Sequence, residues 1–205
     1  MHVHEIAPGL WYWFAPHPEW TPAEKWREHV LCVYYEARDA VVLIDPVVPR
    51  GEEDAFWRSL DRDVERLRLP VRVLLTTPWH ARDTRLVVER YGAEVWARPG
   101  ALWKGPPLTT TAELPAGVEV FLPENEEGLV AFFIPEHRTL VPGDILSGTG
   151  GSLHVDGSAY EPDPQAYLAS LPPLLDLPIE RVLVSHGEPV LSDGLAAIRV
   201  ALDSA

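Results

Sequence analysis

Short apolar runs, separated by polar breaks marked with proline or glycine, dominate the chain, and four stretches carry the wider period of a helix. Residues 2–14 read as two short strands around the Pro8-Gly9 turn. The second of them is strongly aromatic (Leu10, Trp11, Tyr12, Trp13, Phe14). Residues 30–36 and 40–44 predict a hairpin across Ala37, Arg38 and Asp39. Its second strand, A-V-V-L-I, is apolar at every position, as a strand buried on both faces must be. Residues 71–75 predict another buried strand and residues 94–97 a short one. Residues 118–122, 129–134 and 139–141 predict three more, with His137 on a surface turn at 135–138, and residues 181–184 predict the last.

The first helix is expected over residues 51–67, where Phe56, Leu60, Val64 and Leu67 form one apolar stripe. Glu52, Glu53 and Asp54 suit its positive end. Residues 84–91 predict a second helix, stopped by Gly92, with Leu86, Val87 and Tyr91 turned inward. A third spans residues 164–175 from a proline in its first turn, and a fourth spans 193–202 with Ser192 or Asp193 as cap. Residues 99–117 read as an irregular surface connection, and 147–156 as a flexible glycine-rich stretch carrying His154. Strand, helix, strand over residues 71–97 implies a right-handed crossover with parallel pairing. With no tandem repeat and no linker, residues 1–205 are expected to form one domain, in which single helices are inserted among many strands.

Composition narrows the function classes. The net charge of −14 argues against nucleic acid and anionic membranes, both of which require a basic patch. The apolar runs have the length of strands, too short to cross a bilayer. The first residues lack a charged segment followed by an apolar one, and Cys32 is the single cysteine, so a cytoplasmic protein without an internal disulfide is expected. The proline-rich loop A-P-H-P-E-W-T-P, with Trp20 and then Trp26, continues the aromatic strand. These aromatics either pin the core or wall a small-molecule pocket. Nothing in the chain specifies an oligomeric state.

Four loci place polar residues just beyond a buried strand: Asp45; His80 with Arg82 and Asp83; Asp144; and His186. Strand ends in layered α/β proteins tend to gather at one edge, where His and Asp side chains can hold a divalent cation or act as an acid/base pair. A single His or Asp at a strand end is more often a cap or turn residue. Four such loci in order point to chemistry.

The segments V-V-L-I-D-P, V-L-L-T, L-V-P-G-D-I-L and V-L-V-S-H-G-E-P-V, in that order, resemble the metallo-β-lactamase superfamily. The resemblance covers nearly the whole chain. It implies a four-layer αββα sandwich of two mixed sheets flanked by helices, with a one- or two-zinc site at one edge, in a family mostly of hydrolases. The family signature H-x-H-x-D-H places its first His at Pro78, its second at His80, its Asp at Arg82 and its third His at Asp83, so one of four positions matches. The family's middle histidine corresponds to Asn125, while the bridging aspartate and the last histidine are kept as Asp144 and His186.

The resemblance therefore implies that the dinuclear zinc site is lost. Pro78 offers no donor atom, and Arg82 stays protonated. The Arg82 guanidinium could stand in for the metal's charge beside Asp83 or Asp144. A site without metal is expected; the alternative is one divalent ion (Zn, Mn or Fe) held by His80, Asp83, Asp144 and His186, with Glu124 or Glu126 as a further carboxylate. Two functions follow. One is a hydrolase with a remodelled site built from Asp144, His80, His186, Arg82 and Asp83, acting on an ester, thioester or lactone. The other is a non-catalytic binding or scaffold protein that keeps the fold.

Overall fold

The computed structural model describes residues 2–24, 26–99, 108, 110–111, 113–124, 128–156 and 162–205. They fall into two compact units. The first runs to Leu75, takes in Trp79–Ala97 and closes with the segment ending at Gly117. The second contains Thr76–Pro78, Arg98 and Val118–Ala205.

The first unit holds a six-stranded mixed sheet in the order β1 (Val3–Ala7), β2 (Leu10–Pro16), β3 (His29–Glu36), β4 (Val41–Ile44), β5 (Val71–Leu74), β6 (Glu94–Trp96). The first four strands pair antiparallel, and β4, β5 and β6 pair parallel through α1 (Glu53–Leu67) and α2 (Thr84–Tyr91). Alternate residues explain the layering. Trp13, Cys32, Leu43, Val73 and Val95 share one core with Phe56 and Leu60 of α1 and Val87 of α2. The other parity, including Leu10, Val33, Ile44 and Leu74, is buried too, so both faces of the central strands are covered as their apolar sequence requires. Full burial of Phe56 and Leu60 contributes roughly 2 kcal/mol each. The inward face of α2 differs from expectation: Leu86 is 44% exposed, while Thr84 and Val87 are buried. In so short a helix Leu86 falls on the outer face, one residue before Val87.

The two helices are tied by charge. Arg90 of α2 donates from Nε and Nη2 to the Asp61 carboxylate of α1 at 2.9 and 2.6 Å, and the Tyr91 hydroxyl donates to the same carboxylate at 2.7 Å. The Arg90 guanidinium also lies 5.0 Å from the centre of a Trp57 ring. The hydrogen bonds from Arg90, then Tyr91, hold the Asp61 carboxyl below the usual carboxylate range. A depressed carboxyl contributes stability above its unfolded value near 3.8 and loses it as pH falls through the folded value. The difference in urea midpoint between the natural chain and Asp61→Asn should thus be constant from pH 7 to about 5 and shrink below pH 4. Since the pair is about two-fifths exposed, the effect is small.

The second unit holds a four-stranded mixed sheet in the order β12 (Arg181–Val182), β9 (Thr139–Val141), β8 (Ala131–Ile134), β7 (Glu119–Phe121), with β12 and β9 parallel. A separate ladder pairs β10 (Leu146–Ser147) with β11 (His154–Val155). One core joins Phe133, Leu140 and Val182 to Tyr167 of α3 (Pro164–Ala169) and Ile198 of α4 (Gly194–Asp203). Three expectations change here. The third helix ends at Ala169, because Pro172 and Pro173 cannot continue it and start a 3₁₀ turn instead. Asp193 stands at the cap position of α4 in a left-handed conformation and makes no side-chain cap bond. His154 sits in the β10–β11 ladder and not in an unstructured loop. Of the connection expected over 99–117, residues 100–107, 109 and 112 lie outside the described residues. Among the described residues no helix is long and apolar enough to cross a membrane.

Candidate active site

In the first unit the chemistry gathers where β4 and β5 end. Beyond β4, Asp45 takes a left-handed conformation (φ 50°), one that Asp tolerates better than most residues. The chain beyond β5 enters a 3₁₀ turn, Pro78–Ala81, which carries His80. Because β4 and β5 are parallel neighbours, their two ends meet. His80 Nδ1 lies 2.9 Å from Asp45 Oδ2, and both side chains are about 4% exposed. With the imidazole proton on Nδ1, this contact is a hydrogen bond from His80 to the Asp45 carboxylate, and Nε2 is then the nitrogen that can accept a proton.

Arg82 and Asp83 serve the same strand-end loop. Arg82, also left-handed (φ 37°), donates from Nη1 to the Asp45 carbonyl oxygen at 3.2 Å. Asp83 Oδ2 accepts the Val48 backbone N–H at 2.9 Å, and the Asp83 N–H reaches the Pro46 carbonyl at 3.3 Å. Trp13 donates from Nε1 to the Val47 carbonyl at 3.0 Å. The loop after β4 is thus held from several sides. Cys32 lies beneath it, fully buried. Burial first of all pushes its thiol up to about 12, against an opposing effect of Arg82. Cys32 should therefore resist a disulfide reagent at pH 8 in the native protein and react with one equivalent once urea unfolds the chain.

In the second unit, Asp144 sits in a 3₁₀ turn, Gly143–Ile145, that follows β9. His186 follows the strand parallel to β9, and its Nε2 lies 3.5 Å from Asp144 Oδ1. Glycines allow this closeness. A Cβ on Gly143 would overlap the Thr76 side chain, and one on Gly187 would overlap the backbone of Gly148. The His186 carbonyl accepts from the Gly148 N–H at 2.9 Å and from Ser147 Oγ at 3.3 Å. The hydroxyls of Ser147 and Thr149 lie 3.2 Å apart, and Thr149 Oγ1 lies 3.3 Å from His154 Nε2, so His154 is linked to the His186 carbonyl through two hydroxyls.

The structure thus joins His80 to Asp45, with Arg82 and Asp83 around them, and joins Asp144 to His186. Asp45 was one of the four loci, but its partner could not be read: the bond spans 35 residues. The only local signal was a carboxylate just after a fully buried strand. Trp11 and Trp13 face α1 in the first unit's core. The Glu124 N–H donates to Ser170 Oγ at 3.0 Å, and Asn125 and Glu126 lie outside the described residues.

No protein-family model matches the chain, and no curated protein does. Solved structures do. A metallo-β-lactamase from Pontibacter korlensis superposes with a TM-score of 0.69 at 18% identity, covering 100% of this chain and 99% of that one. A metallo-β-lactamase family protein from Thermus thermophilus gives 0.62 at 19% identity, over 98% and 79% of the two chains. A third protein, solved in a di-iron-bound form, gives 0.58 at 27% identity, over 87% and 94%.

Proposed function

We infer that this chain, which has the metallo-β-lactamase fold, is a hydrolase-like protein with a remodelled, metal-poor active site acting on an ester, thioester or lactone bond. The observation that carries the reading is the buried Asp45–His80 pair. A carboxylate that fixes the tautomer of an imidazole prepares Nε2 to accept a proton from a water attacking a carbonyl. Asp45 then stabilises the imidazolium that forms. The second unit has a carboxylate–imidazole pair of its own, Asp144 and His186, which by itself can exchange a proton with a bound group.

The bonding around Arg82 and Asp83 supports the metal-poor part of the reading. Pro78 has no donor atom, Arg82 is a fixed cation bonded to Asp45, and one carboxylate oxygen of Asp83 is engaged by Val48. These residues do not fit a dinuclear centre. Asp144 and His186 supply one oxygen and one nitrogen suited to a single Zn, Mn or Fe ion, which would contribute Lewis acidity toward a carbonyl. The same bonds favour a second reading, a binding or scaffold protein, because they turn former ligand positions into loop supports.

The test is hydrolysis of p-nitrophenyl acetate and of an acyl thioester by the natural chain, His80→Gln and Asp144→Ala, with metal content measured after zinc or manganese loading. The hydrolase reading expects activity that falls at least about 100-fold in His80→Gln, the usual worth of a general base. It also expects at most one metal per chain, lost in Asp144→Ala. Equal rates in the natural chain and His80→Gln would leave the scaffold reading standing. Two metals per chain would overturn the metal-poor site.

A further inference from the structure

We propose a second chemical centre, in which the Thr149 hydroxyl is a nucleophile that takes an acyl group from an activated ester or thioester, with His154 as its base. The β10–β11 ladder of the second unit builds it. Ser147 and His154 are register partners and share one face of the ladder, while Leu146 goes to the core. Thr149 follows in the 3₁₀ turn Thr149–Gly151. Its hydroxyl lies 3.3 Å from His154 Nε2, and His154 Nδ1 lies 3.4 Å from the Ser152 carbonyl oxygen. A carbonyl oxygen only accepts. With the imidazole proton on Nδ1 and donated there, Nε2 is left to accept from Thr149. A hydroxyl, an imidazole and a third group that orients the imidazole make up the arrangement that activates a hydroxyl, and such contacts are often loose before substrate binds. The Thr149 backbone is held as well, since its N–H donates to Ser147 Oγ at 3.4 Å.

The base of the turn is fixed and its tip is open. Gly148 bridges to Gly187, and a Cβ on Gly148 would lie 2.4 Å from the Glu188 carbonyl oxygen. Gly150 and Gly151 are exposed, with nothing within 4 Å of an added Cβ. A donor can therefore reach the half-buried Thr149 past two residues without side chains. Charge selects the donor. Residues 139–180 contain no lysine or arginine, Asp144 and Asp156 flank the hairpin in the chain, and Glu188 meets it at Gly148. A phosphoryl donor needs cations around the transferred group, and an uncharged acyl group does not. In the step itself, Thr149 Oγ1 bonds to the acyl carbon and its proton passes to His154 Nε2. The bond from that carbon to the leaving oxygen or sulfur breaks, and the proton goes from Nε2 to the leaving group. The product is an ester of Thr149. The branched Cβ crowds this ester against water, so it accumulates in a burst. The centre uses neither Asp45 nor His80, and it goes beyond the hydrolysis proposed for them.

The probe is p-nitrophenyl acetate, mixed with the intact chain and quenched in acid, with p-nitrophenolate release followed in parallel. A burst of one equivalent per chain is expected. Peptide mass spectrometry should place one acetyl group on Thr149, removable by hydroxylamine as an ester is and an amide is not. Thr149→Val, of the same shape without the hydroxyl, should abolish burst and label, and Thr149→Ser should keep both. His154→Gln should slow the burst at least about 100-fold, the usual worth of a general base. His80→Gln should leave burst and label unchanged, so that this proposal and the His80 hydrolase reading can fail separately. p-Nitrophenyl phosphate should leave no label. No burst, an acetyl group elsewhere, a burst that survives Thr149→Val or His154→Gln at full rate, its loss in His80→Gln, or a phosphorylated Thr149 would each overturn the proposal.

Discussion

Asp45→Ala is expected to destabilise the folded chain by about 2–4 kcal/mol, while Asp45→Asn should cost under about 1 kcal/mol. Two separate effects add up in the alanine variant. His80 loses the acceptor of its Nδ1–H at a site where it is 3% exposed and water cannot replace the carboxylate. The backbone at Asp45 is left-handed, which Ala adopts at roughly 1 kcal/mol more than Asp or Asn. Asparagine avoids both penalties, because its amide oxygen accepts the same proton and its backbone tolerates the same angle. It cannot, however, stabilise an imidazolium. The two variants therefore separate structure from chemistry. Urea midpoints should drop for Ala and barely move for Asn, while both lose most of the hydrolysis proposed for His80. A double-mutant cycle of Asp45→Ala with His80→Ala should show a coupling of about 1–2 kcal/mol. A coupling near zero would mean that the pair contributes nothing to the fold.

Apolar runs broken by turn residues made most strands legible, because central strands such as β4 and β8 are buried on both faces. The pattern misplaced Leu86, since eight residues give a helix too few turns to define its inner face by pattern alone. It carried the third helix through Pro172, where the missing N–H and the ring clash stop it. The motif segments made the fold class legible through resemblance, and the solved structures agree over nearly the whole chain. The chemistry was less readable. Residue spacing located Asp45, His80, Asp144 and His186 at strand ends, but side-chain direction depends on tertiary packing. That Arg82 turns back on the Asp45 carbonyl and Asp83 on the Val48 N–H follows from a left-handed residue at 82, and no local rule requires one there.

Gly143→Ala is the substitution with the largest expected effect in the second unit, and its cause differs from that at Asp45. Gly143 is buried and left-handed (φ 55°), just before Asp144. A Cβ there would overlap Oγ1 and Cβ of Thr76, which is itself fully buried. Thr76 cannot easily retreat, because its carbonyl accepts the Val130 N–H at 2.8 Å. Overpacking of about 1–3 kcal/mol adds to roughly 1 kcal/mol of backbone strain, for a total of about 3 kcal/mol. In a chain of this size that is a fall in Tm of roughly 6–12 °C. Gly150→Ala is the control: it has positive φ as well (81°), but nothing lies within 4 Å of its added Cβ. It should lose only roughly 2–4 °C. Thr76→Gly removes every atom in the overlap, so Gly143→Ala should cost less on that background even though the glycine itself destabilises. The functional effect should exceed the stability effect. A backbone shift at 143 moves Asp144 against His186, and a pair already at 3.5 Å has little room to lengthen before it ceases to interact. Melting curves of the natural chain and these four variants, alongside hydrolysis at a temperature where all are folded, separate the two effects. Equal melting of Gly143→Ala and Gly150→Ala would show that Thr76 yields to the added methyl and that the glycine is there for its backbone angle alone.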